Sequence, residues 1–482
     1  MKGRKPARSR LGRACLTLVC GSFWAVVAPG QEHTVQAQAV NVEVLTLQQV
    51  LTSVQQSHPG LEYARRAEQA AVGKRYAAEG VWDPTVHFSG EWVPQGHYHE
   101  DYLDAHIEQA TPLWGAKVTA GYRLGVGEYP VYHGELETLS EGEVRAGVDL
   151  PLWKDGPIDA KRAKLRRTGA LAKAAGCSAA AVQLKVRLEA SSAYWNWVAK
   201  GQQVRIQREL LEVAKQRHVA VERQVSMGDL SPLVRVYNQR QVLERETKLL
   251  SVLRKFQKST FDLSLYLRNA AGKPMTVDIG QVPDGIPLVD VDLRPEPQDI
   301  QRAQIQRPEL CDVSGRQAAA VVDVEYTSNQ RAPSVHVHGI VSQDLGEGEE
   351  SHRELEVEIG VEFSMPLTLR KARGEYRAAT AKAAKWQAKR RGLEDKVAVD
   401  VRKARAELRL AKREAELAAE QAVAADTLAK AERAKFAQGA SDLVVVNLQE
   451  IYAADARLAE LEARAALQVA QAAYRTATGD GI

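Results

Sequence analysis

The chain has 482 residues, 45% of them hydrophobic but only 6% aromatic, and a formal net charge of +4. That length would suit about three ordinary domains, yet so few aromatic side chains argue for slim helical packing rather than one large core. Six basic side chains and one acidic residue, Glu32, fall within the first 39 residues; the remainder carries a net charge of −1, which removes the basic face a nucleic-acid-binding protein needs.

Residues 1–39 read as a secretory signal. Lys2, Arg4, Lys5, Arg8, Arg10 and Arg13 form a basic start, Ala14 to Ala28 an apolar run, and Ala37-Gln38-Ala39 an A-x-A cleavage site, with cleavage after Ala28 as the alternative. Cys15 and Cys20 lie inside this leader and leave lipid attachment open. Cys177 and Cys311 show neither metal nor redox spacing and read as two free thiols, although export would allow a disulfide. No later apolar run is long enough for a spanning helix, so any membrane entry must be made by strands.

From Leu45 to Glu79 the pattern is helical, with a break at His58-Pro59, and after Trp82-Asp83-Pro84 it changes to strand alternation: Val86, Phe88 and Trp92 against Thr85, His87, Ser89 and Glu91. A first repeat over residues 40–270 follows, with strands about 84–93 and 142–151, a long helix 157–227, a hairpin and a helix 232–269. Residues 271–297 hold five prolines and read as a connector. A second repeat over 298–482 has strands about 333–342 and 354–365, a long helix 367–438, a hairpin and a helix 441–477. Pro59 and Pro308, Pro84 and Pro333, His87 and His336, and Gly90 and Gly339 are each 249 positions apart, the mark of an internal duplication.

Within the second long helix Val397, Val401, Ala404, Leu408, Ala411, Ala415, Ala418, Ala422, Ala425 and Ala429 alternate steps of four and three, a 3.5-residue period that winds a helix against neighbours. At about 1.5 Å per residue this rod reaches about 105 Å, longer than a compact domain uses. The two short helices of each copy, stacked end to end, match one rod. Each rod ends at a glycine, Gly228 or Gly439, and Ser231 or Ser441 caps the helix that returns. Residues 94–141, present only in the first copy, contain two more alternating runs; they are read as an extracellular hairpin, with extra barrel strands as the alternative.

The return strands carry Glu143, Arg145 and Asp149, and Glu354, Glu356, Glu358 and Glu362, on one polar face, which His87, His336 and His338 share. Facing a lumen, they would favour cations. His336 and His338 are spaced as metal ligands can be, but scattered polar wall residues are the more economical reading, and no metal or other cofactor is expected. P-loop, HExxH and G-x-S-x-G signatures are absent, so no enzyme activity is expected and any transport must be powered by partners.

The duplicated unit, the Pro151-Leu152 and Pro366-Leu367 junctions, Ala193-Tyr194-Trp195 in the first rod, and the hairpins Gly228 to Val236 and Gly439 to Val446 together resemble the TolC-like outer-membrane efflux proteins. The resemblance covers residues 43–479. It implies a mainly α fold with a transmembrane β-barrel: a homotrimer with four barrel strands per protomer and duplicated long helical hairpins forming a periplasmic tunnel. It also implies an exit duct in the outer membrane of a Gram-negative-type envelope, surrounded by outer-membrane lipid, working with a periplasmic adaptor and an inner-membrane pump of RND, ABC or MFS type. The adaptor-facing tips would be Gly228, Asp229, Leu230 and Ser231 with Gly439, Ala440, Ser441 and Asp442. Val234 stands where family members often carry an acid, and the acidic rings of some relatives have no counterpart here, so gate residues do not carry over. The rival reading is a secreted periplasmic coiled-coil scaffold or adaptor.

Overall fold

The structure is a computed structural model that describes residues 43–96, 100–129, 136–291 and 293–481; the leader assigned to residues 1–39 and His97, His99 and His133 lie outside these. Two helices open the described chain, α1 (Leu47–Ser57) and α2 (Pro59–Glu79). Thr46 and Gln49 close a reciprocal capping box on α1, and Pro59 at the first position of α2 forces the break between them. The same break recurs in the second half between α5 (Glu296–Gln306) and α6 (Pro308–Asn329).

The two rods are α3 (Ala160–Ser226) and α7 (Arg370–Ala437), 67 and 68 residues long, or about 100 Å each. Along α7 the residues with the 3.5-residue period form the inner seam: Val397, Val401, Leu408, Ala411, Ala415, Ala422 and Ala429 are buried, and Ala404, Ala418 and Ala425 are half-buried between them. The returning helices are α4 (Pro232–Ser264) and α8 (Leu443–Thr478). α2 and α4 both pack on α3, α6 and α8 both pack on α7, and α3 in turn packs against α6 and α8. The helices therefore lie side by side as α2–α3–α6–α7 toward the strands and α4–α3–α8–α7 toward the hairpins.

The main apolar core sits midway along the rods. Val50, Leu51 and Val54 of α1, Tyr194, Trp197, Val198 and Val204 of α3, Phe256 and Leu263 of α4, and Val282 and Ile286 of the connector pack together there. Gly201 lets the connector approach, since a Cβ at that position would sit 2.5 Å from a methyl of Val282. Arg205 donates to the Val282 carbonyl at 2.7 Å and to Asp284 at 2.8 Å, while Gln468 of α8 donates to the Pro287 carbonyl at 2.8 Å.

Cys177 of α3 and Cys311 of α6 form a disulfide, with Cα atoms 5.8 Å apart, where two free thiols were expected. Small residues bring these helices together: a Cβ on Gly315 would lie 2.9 Å from that of Ala174.

Among the described residues six strands, where four were expected, make one antiparallel sheet in the order β1–β2–β3–β4–β5–β6. They are β1 (Thr85–Trp92), β2 (Glu100–Ala110), β3 (Lys117–Gly127), β4 (Glu143–Pro151), β5 (Ser334–Asp344) and β6 (Glu356–Ser364). Within the segment expected to form an extracellular hairpin, residues 100–127 are instead part of the sheet: β2 and β3 are inserted between β1 and β4 with unbroken pairing on both sides. Their turn lies at the helix end of the sheet, where Trp114 donates to the Leu152 carbonyl at 3.1 Å and Gln109 to that of Trp82 at 2.7 Å.

Candidate functional site

Strand alternation sorts the sheet into two chemically opposite faces. Cross-strand partners run His87, His106, Gly121, Arg145, Ser342 and Glu356 in one row, and Ser89, Asp104, Arg123, Glu143 and Asp344 in the next. Asp149, His336, His338, Glu358 and Glu362 fall on the same face by register. Of the wall residues expected from sequence only Glu354 lies outside the ladder, two residues before β6. On the other face stand Val86, Phe88, Leu103, Ile107, Val118, Leu124, Val144, Val148, Val337, Val341, Val357, Ile359, Val361 and Phe363.

Burial is inverted relative to a sheet folded for water. Phe88, Ile359 and Val361 are 69%, 75% and 69% exposed, whereas Asp104 and Glu143 are 2% and 3% exposed. Ion pairs run across the polar face: Arg123 reaches Glu143 at 2.7 Å, Arg145 pairs with Asp104, Lys117 lies 3.2 Å from Glu108, and His336 Nδ1 lies 3.1 Å from Asp149. His106 is held 2.5 Å from Asp104 and stacks on His87 with ring centroids 4.8 Å apart. Two acids, two bases and a histidine of this network, Asp104, Glu108, Lys117, Arg123 and His106, come from the inserted strands. Of these the sequence marks only His106, as one of several histidines in strands or their loops, although the alternation that places the others is visible there.

At the far end the two hairpins share one geometry. Gly228 and Gly439 take φ of 85° and 74°, the left-handed region that glycine enters freely, and each ends a rod. Asp229 N bonds to the Gln224 carbonyl and Ala440 N to the Lys435 carbonyl, both at 2.9 Å. Ser231 caps α4 by accepting from Leu233 N. In the second tip the cap is Asp442, accepting from Val444 N at 2.8 Å, and not Ser441; Ser441 instead donates to Glu432, whose carboxyl is held below its usual range chiefly by that bond. Leu230 is half-buried, and Met227, Leu233, Val236 and Val444 are exposed around the tips.

Just above the tips the helices are joined by buried polar groups. Arg217 of α3 donates to Glu450 of α8 at 2.7 Å and also to Asn447. Arg245 of α4 is buried beside them, and its burial lowers its pKa. On the outer side Lys430 and Arg457 both contact Asp426 at 2.6 Å, and the hydrogen bond from Lys430 leads in holding that carboxyl below its usual range. No sequence motif announces Arg217, Asn447 and Glu450, which meet only through the packing of α3 on α8.

No helix among the described residues is long and apolar enough to cross a membrane, and no three His, Cys, Asp or Glu side chains among them are grouped as a metal site. The chain is thus a duplicated helical rod bearing a sheet with one apolar and one polar face. Its fold is that of the TolC-like channels, and residues 300–480 match the profile of the outer membrane efflux protein family. The fold is similar to that of the Campylobacter jejuni CmeC outer membrane channel (TM-score 0.63, 11% identity, covering 90% of this chain and 86% of that one). It is likewise similar to the open Neisseria gonorrhoeae MtrE channel (0.62, 13%, 90% and 89%) and to the outer membrane protein VceC of Vibrio cholerae (0.61, 12%, 90% and 96%). No curated protein sequence matches the chain.

Proposed function

We propose that three copies of this chain form an outer-membrane channel, the passive exit duct of a tripartite efflux or type I secretion system. The observation that carries this reading is the inverted sheet. Its exposed apolar face would cost roughly 1.5–3 kcal/mol per large side chain left in water, and lipid removes that cost. A soluble scaffold would bury that face against helices, and among the described residues no α-helix packs substantially on the sheet.

The two edges of the protomer support closure into a ring. β1 and α2 with α4 lie along one edge, β6 and α7 along the other. β1 runs away from the helices and β6 toward them, so β6 of one copy can pair antiparallel with β1 of the next, and rotation joins the helix edges in the same operation. α4 and α7 carry the exposed side chains such a contact needs, among them Leu243 and Leu250, and Leu410 and Leu417.

The exposed tips at Gly228 to Ser231 and Gly439 to Asp442 would meet the periplasmic adaptor, which links the duct to an inner-membrane pump of RND, ABC or MFS type. On the polar face three basic residues, Lys117, Arg123 and Arg145, are outnumbered by carboxylates, which favours cations in a narrow lumen. Purified protein in a planar bilayer should give discrete conductance steps with a cation preference. Anion preference would reject the acidic wall, and no conductance from an inserted trimer would reject the duct.

A further inference from the structure

We propose that the wall built by three copies has eighteen strands, because β2 and β3 are full wall strands and not a loop excursion. The inference rests on the channel reading above and concerns what its barrel is made of.

Length, register and chemistry agree. β2 and β3 are 11 residues each, the span that crosses a bilayer when tilted, and they pair with β1 and β4 without interruption. Leu103, Ala105 and Ile107, then Val118, Ala120, Tyr122, Leu124 and Val126, continue the apolar band of β1 into that of β4. A surface hairpin in water has no use for such a face. On the opposite face β2 and β3 supply the partners of two β4 ion pairs: Arg123 with Glu143, and Asp104 with Arg145. Removing β2 and β3 from the wall would strand both partners on β4.

The two outermost strands, β1 and β6, each have one unpaired edge and opposite directions, so three six-stranded sheets close without a leftover edge. An even strand number is preserved, as barrels of antiparallel strands require. Barrel width grows about linearly with strand number, so at equal tilt this wall is about one and a half times as wide as a twelve-stranded one.

Electron cryomicroscopy of the full chain extracted from membranes counts the strands directly. Eighteen supports the proposal. Twelve, with residues 100–127 outside the wall, overturns it while leaving the trimeric channel intact, and a monomer without a barrel overturns both. Disulfide trapping in intact membranes gives an independent readout, using the double substitutions Val86→Cys with Ile107→Cys and Val118→Cys with Val148→Cys, each pair directly opposite on the apolar face. Both bonds should form in the assembled trimer; a trimer that assembles yet forms neither contradicts the proposal.

Discussion

Ile359→Arg separates a lipid-facing wall from a sheet bathed in water. Ile359 is one residue from the centre of β6 and 75% exposed. If water surrounds it, exchange for arginine changes stability by about 0.5 kcal/mol or less. In a bilayer an arginine near mid-depth costs about 2–4 kcal/mol, and loss of the isoleucine's contact with lipid adds roughly 1.5–3 kcal/mol. The sum, about 3.5–7 kcal/mol per chain, recurs in each copy of the ring. The neighbouring Glu358→Gln, on the polar face, is the control and should be near neutral. The assay is the yield of heat-sensitive trimer from outer membranes, with the urea midpoint for folding into lipid vesicles measured alongside. The substitution at Ile359 should abolish trimer and lower the midpoint. Trimer at the yield of the unsubstituted chain would refute the assignment of this face to lipid.

Three other outcomes follow from separate parts of the fold. The Cys177–Cys311 bond closes a loop with a sequence separation of 134; on the chain-entropy account its loss removes about 5 kcal/mol, so Cys177→Ser should unfold earlier in denaturant and reductant should slow the native chain on a denaturing gel. Burial pushes the Tyr194 hydroxyl up to about 12, and Tyr474, buried and bonded to Asp299 at 2.8 Å, is likewise pushed up to about 12. Because the folded state holds these protons more tightly than the unfolded one, whose tyrosines ionise near about 10, the contribution is whole below that pH and lost as pH rises toward 12. It amounts to at most roughly 2–3 kcal/mol for Tyr194, and absorbance of tyrosinate during an alkaline titration should show both residues ionising only with unfolding. Finally, a Cβ at Gly228 or Gly439 meets no neighbouring atom within 4 Å, so the backbone penalty of Gly228→Trp or Gly439→Trp is the roughly 1–2 kcal/mol of a left-handed residue at an exposed turn. The trimer should form normally while export fails; normal export would show that the tips do not dock.

Periodicity made the helical part legible. The alanine seam of α7 was readable because a 3.5-residue repeat has one physical use, and Gly228 and Gly439 because a left-handed residue must end such a rod. What stayed hidden depends on which element lies beside which. The alternation of β2 and β3 was visible, but alternation is the same for a free hairpin and for strands inserted between β1 and β4. Cys177 and Cys311 meet because small residues draw α3 onto α6, and Arg217 finds Glu450 by the packing of α3 on α8. Ser441 and Asp442 are both able caps; the phase of α8, which begins at Leu443, selects the second.

The most direct test of the account is fractionation of cells producing the full chain, followed by detergent extraction and electrophoresis of heated and unheated samples. A trimeric outer-membrane duct is recovered in the outer membrane as a trimer that dissociates on heating. Recovery as a monomer in the soluble fraction would contradict it.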